Sequence, residues 1–160
     1  MHLSEALKTL EESSEFNEFD KNDYFLAHAF VMLDAANKNV WQIGFYNAKT
    51  DRITTFLIED GMVDKIADQE IMKSGHEIKP LDASKVKLSV EDAMEVAEGC
   101  MKQYPEIVLK KFFIIQNLPE GTVFNVTFFT QSMNTVNVKI DTTTGHILSQ
   151  NKQQLVAFGK

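Results

Sequence analysis

The chain has 160 residues, 44% of them apolar, and a formal charge of −7 with a pI near 5.1. That balance suits a globular core and argues against a phosphate-tracking surface, the more so because Arg52 is the one arginine. A single cysteine, Cys100, excludes an internal disulfide and a thiolate metal cluster within one chain.

Before residue 24 seven acids stand against two lysines, and Leu3, Leu7, Leu10 and Ser14 fall at helical spacing, so the spacing predicts a first helix capped by Ser4. Residues 24–33, YFLAHAFVML, are apolar at nearly every position and fit either a buried strand or a buried helix. From Val40 to Tyr46 the alternation of Trp41, Ile43 and Phe45 with Gln42 and Gly44 predicts a half-buried strand. Ile53, Thr55 and Leu57 alternate with Arg52, Thr54 and Phe56 in another, which ends at the turn pair Asp60-Gly61. Weak periodicity from Asp64 to Lys87, with Gly75 and Pro80, reads as a connector holding a short helix near Ile66 to Met72.

Ser89 is placed to cap a second helix whose stripe is Val90, Ala93, Met94, Ala97, Met101 and Tyr104, stopped by Pro105. Beyond it KKFFIIQ, the stretch containing Phe124, Val126 and Phe128, and the stretch containing Val136, Val138 and Ile140 predict three strands, separated by turn-like LPEG and followed by the turn DTTTG at Asp141 to Gly145. The apolar pair Ile147 and Leu148 and the polar tail after it are expected to pair only weakly.

An offset of 83 lays Trp41 on Phe124, Ile43 on Val126, Phe45 on Phe128, Ile53 on Val136, Leu57 on Ile140, and Phe30 on Phe113 without a gap. This assigns YFLAHAFVML to a strand. The fold class expected is α+β: two tandem units, each a helix followed by a three-stranded antiparallel meander, with residues 1–64 as the first unit, 65–85 as connector and 86–160 as the second. Because KFFIIQ is apolar on both faces, a row such as Phe113 and Ile115 is expected to be buried against the sister half, a homodimer being the alternative.

The second half, LSVEDAMEVAEGCMKQYP through VFNVTFF to VNVKIDTTTGHILS, resembles the PepSY family in its capped helix with paired alanines, its strand hairpin and its final strand running into Asp-x-x-x-Gly. The resemblance covers about 63 residues, Val86 to Leu148. WQIGFY and ITTFLI look like a degenerate copy in which Glu59-Asp60-Gly61 stands where the second half has DTTTG. It implies a cystatin-like α+β fold and a binding role, with peptidase inhibition or chaperoning as in the propeptides of thermolysin-like proteases. It also implies an extracytoplasmic setting, whereas the absence of a basic, apolar leader in residues 1–20 and of a stretch of roughly 20 apolar residues points to the cytoplasm and to no membrane span.

The residues that could carry chemistry do not assemble on spacing. His2, His28, His76 and His146 lack ligand spacing, so no metal site is expected. Cys100 lies beside an apolar stripe with no base in sight and reads as a packing group. Asp141 opens a glycine-ended turn and reads as turn chemistry. Seven glycines, none in a phosphate-cradling array, predict no nucleotide cofactor. The expected function is therefore a non-enzymatic protein-binding or peptidase-inhibitor-like module without catalytic, cofactor or metal residues, its partner a peptidase-like protein. The alternative is a small-molecule-binding or enzymatic domain with a pocket between helix and sheet.

Overall fold

In the computed structural model, which describes residues 2–34, 39–70 and 77–155, eight strands form one antiparallel sheet. They are β1 (Tyr24–Met32), β2 (Trp41–Asn47), β3 (Arg52–Glu59), β4 (Met62–Glu70), β5 (Val108–Leu118), β6 (Gly121–Thr130), β7 (Asn134–Asp141) and β8 (Ile147–Gln154). Their order is β4-β3-β2-β1-β5-β6-β7-β8, so each half is a meander and the two first strands meet at the centre. The helices are α1 (Leu3–Glu11), α2 (Ser14–Glu18) and α3 (Val90–Met101).

This corrects the expected pair of helix-plus-three-strand units. Each half contributes four strands, and the halves share one sheet through the β1–β5 ladder, with Ala29 opposite Ile115 and Val31 opposite Phe113. The added strands are the two edges. β4 occupies residues expected to be connector and short helix, of which Ile71 and Met72 lie outside the described residues, and β8 pairs with β7 from Ile147 to Gln154 where weak pairing was expected. Both were hidden for one reason: an edge strand rests against a single neighbour and needs little apolar alternation, so β4 keeps Asp64, Lys65 and Asp68, and β8 is almost wholly polar. The turn between β3 and β4 is the predicted Asp60-Gly61, both residues in the left-handed region at φ 50° and 78°, the geometry of a two-residue hairpin loop.

All three helices lie on one face. α1 and α2 pack on β3 and β4, and α3 packs on β6 and β7. α1 is capped by His2 rather than Ser4: its Nδ1 accepts from the Ser4 amide at 3.1 Å while its own amide donates to Glu5 Oε2 at 2.9 Å. α3 begins as predicted, with Ser89 Oγ accepting from the Asp92 amide at 3.1 Å, and buries Ala93, Ala97, Cys100 and Met101. Under the helices one continuous core runs from Leu3 and Trp41 to Val138 and Ile140, tied by edge-to-face contacts of Phe113 with Trp41 and with Phe124.

The register shows where the offset of 83 fails. It holds for β2 and β6, whose Trp41, Ile43, Phe124 and Val126 all enter the core. In β1 the core residues are Ala29 and Val31, not Phe30, and in β3 they are Phe56 and Ile58, flanked by buried Thr54, while Ile53 and Leu57 face the other way. The counterparts in β5 and β7 therefore point to opposite faces, since a slip of one residue reverses a strand. Phe113 and Ile115 lie in the shared core on the helix-covered face, where Phe113 meets Trp41 of the sister half, whose β1 pairs with β5 edge to edge.

Candidate functional site on the uncovered face

Alternation along the same strands sends a second set of side chains to the face without helices. Across β2, β1, β5 and β6 one row reads Gln42, Phe30, Ile114, Asn125, and the next, across β3, β2, β1 and β5, reads Thr55, Gly44, His28, Gln116. Phe30 packs on Phe112 with ring centroids 5.5 Å apart, and Phe25 on Tyr46 at 5.6 Å. These side chains are half-buried, in contrast to the closed layer beneath the helices.

His28 is the centre of this face. Opposite it in the ladder stands Gly44, and a Cβ there would come within 2.4 Å of the imidazole Cε1. The ring thus lies over bare backbone, in the space a side chain would take. Burial lowers the His28 pKa, so the ring is neutral near pH 7 and carries one donor and one acceptor nitrogen. Two hollows meet at it. One, of about 280 Å³, is lined by His28, Phe30, Gln42, Thr55, Ile114 and Gln116. The other, of about 350 Å³, continues past Gln116 to Asn125 and Lys139, with Glu77 and Lys79 in its wall. Asn125 Oδ1 accepts from Asn137 Nδ2 at 2.5 Å, and Lys139 pairs with Glu120 at 3.3 Å. Core side chains pack between helices and sheet. An open hollow of about 620 Å³ lies between α1, α2 and the β3–β4 hairpin with Thr9, Glu15 and Met62 in its wall, and the two hollows at His28 lie on the opposite face.

The residues singled out in the sequence do not converge. His2 caps α1, His146 sits exposed after the Asp141 turn, and His76 lies outside the described residues. Cys100 is in the core, where burial pushes its thiol pKa up. Asp141 holds its turn: Oδ1 accepts from the amides of Thr143 and Thr144, each at 2.8 Å, and Gly145 closes the reversal at φ 78°. The Thr144 amide is the main reason its carboxyl lies below the usual range, assisted by that of Thr143. Among the described residues no three His, Cys, Asp or Glu side chains are grouped to hold a metal ion, and no helix is long and apolar enough to cross a membrane. The His28 groove was missed by sequence reasoning, although an isolated glycine in a strand, Gly44, is the usual sign of a close approach.

Compared with known family models and with curated protein sequences, the chain gives no match. Among solved structures it is similar to a proposed lipoprotein of Clostridium difficile 630, with a TM-score of 0.61 and 14% identity over 96% of this chain and 93% of that one. The likeness extends to the fold across nearly the whole length of both proteins.

Proposed function

We propose that this chain is a non-catalytic binding module, PepSY-like in kind, whose partner is a protein and whose role is to restrain a peptidase. The observation that supports the reading is the one-sided sheet. Its helices consume one face in a filled core, while the other presents half-buried aromatic and amide side chains, the usual mixture at recognition surfaces. An extracytoplasmic setting belongs to the same proposal, and similarity to a proposed lipoprotein accords with it.

The test is titration of a thermolysin-like peptidase with the intact chain while hydrolysis of a small chromogenic peptide is followed. A rate that falls to a plateau near one equivalent is the expected result. An undiminished rate, with the chain itself degraded, removes the inhibitory role.

A further inference from the structure

We infer that the groove centred on His28 binds an extended, uncharged peptide segment laid across the strands, with apolar side chains at alternate positions. The inference rests on the protein-binding reading and supplies its contact site. The two hollows share His28 and Gln116, and together they run from Thr55 on β3 to Lys139 on β7. That path crosses five gaps between strands, roughly 24 Å at ~4.8 Å each, the length of about seven extended residues.

The lining selects the chemistry of the occupant. Gln42, Gln116 and Asn125 stand along the path, and a carboxamide both donates and accepts, which matches the alternating N–H and C=O groups of a peptide backbone. Between them Phe30 and Ile114 offer apolar contact for every second side chain. Neutral His28 adds one donor and one acceptor at the midpoint, and its position depends on the missing side chain at Gly44. The charges are balanced: Lys139 is paired with Glu120, and Lys79 shares the wall with Glu77. A phosphate or a strongly acidic ligand would find no surplus of positive charge here.

Random heptapeptides displayed on phage and selected against the immobilised chain provide the probe, followed by fluorescence anisotropy of the enriched sequences. The expected peptides carry apolar residues at alternate positions. Their Kd should rise about tenfold or more when Gln42→Ala and Gln116→Ala are combined, two half-exposed changes that leave the circular dichroism spectrum unaltered. Gly44→Ala, which forces the ring aside, should weaken them as well. Selected peptides that ignore all three changes and instead protect the amides of β8 from hydrogen exchange would overturn the groove and leave the protein-binding reading standing. If no peptide is enriched while the peptidase is inhibited, the groove again falls and the reading stands. With neither enrichment nor inhibition, both fall.

Discussion

Two faces of one sheet, built from alternate residues of the same strands, meet different demands. On the covered face Phe113, Ile115, Phe124, Val126 and Phe128 are almost without exposure and interlock with α3 and Trp41. On the uncovered face their immediate neighbours Phe112, Ile114, Asn125, Thr127 and Phe129 stay half-exposed. Stability is thus concentrated in one set of positions, and the other is left with freedom to mix amides, aromatics and a histidine. A close-packed layer feels the loss of a single methylene, whereas a half-open layer can rearrange.

The largest contrast should come from neighbouring phenylalanines. Phe113→Ala, by opening a cavity between Trp41 and Phe124, is expected to cost about 3–5 kcal/mol in urea unfolding, and Phe112→Ala about 1 kcal/mol. Equal losses would mean that the uncovered face carries as much of the fold as the covered one. Next in size is Gly44→Ala, for which crowding against His28 is expected to cost about 1–3 kcal/mol. Much of this should be recovered in the double variant with His28→Ala, because the two positions share one volume.

The pH dependence of stability should single out His28. Its folded-state pKa lies below the ordinary value of about 6.5, so the unfolded chain binds the proton more readily. Stability should therefore hold above about pH 7 and fall as the pH drops towards 5, with a shallower fall in His28→Gln. The carboxylates act lower. Asp68, held down chiefly by the Thr54 hydroxyl, Asp141 by the Thr144 amide, and Glu106 by the Asn134 amide should lose their contributions only as the pH falls below about 4. The smallest effect belongs to Glu98→Gln at the rim of the covered face. It breaks an ion pair with Lys111 whose two side chains are 43% and 38% exposed, and the change should be under about 1 kcal/mol by thermal unfolding.

The parts of the fold legible in the sequence are those where burial is one-sided and strong. The α3 stripe with its Ser89 cap, the alternation of β2, β6 and β7, and the Asp60-Gly61 and Asp141–Gly145 turns each follow from a local rule that tertiary packing leaves intact. Strand facing in β1 and β5 was not legible, because YFLAHAFVML and KFFIIQ are apolar at successive positions and their phase is set only by the partner strand. In β3, Ile53 and Leu57 look like core residues as much as Phe56 and Ile58 do, and α2 decides between them by placing Phe16 and Phe19 over Phe56. The groove was legible only as a hint, since it takes the register of β1 on β2 to bring His28 over Gly44.

The strand order also has a consequence during synthesis. Apart from the central ladder, every pairing joins strands that are consecutive in the chain, so hairpins can close as they leave the ribosome. β1 is different, because its second neighbour comes about 88 residues later, where Gln116 meets His28. At ~5–20 residues per second the nascent chain spends roughly 4 to 18 s with a central strand still acting as an edge. Through that interval an apolar segment, Leu26 to Met32, has open backbone hydrogen-bonding groups along one side, which makes the first half alone the form of this protein most exposed to capture by a chaperone or by another unfinished copy.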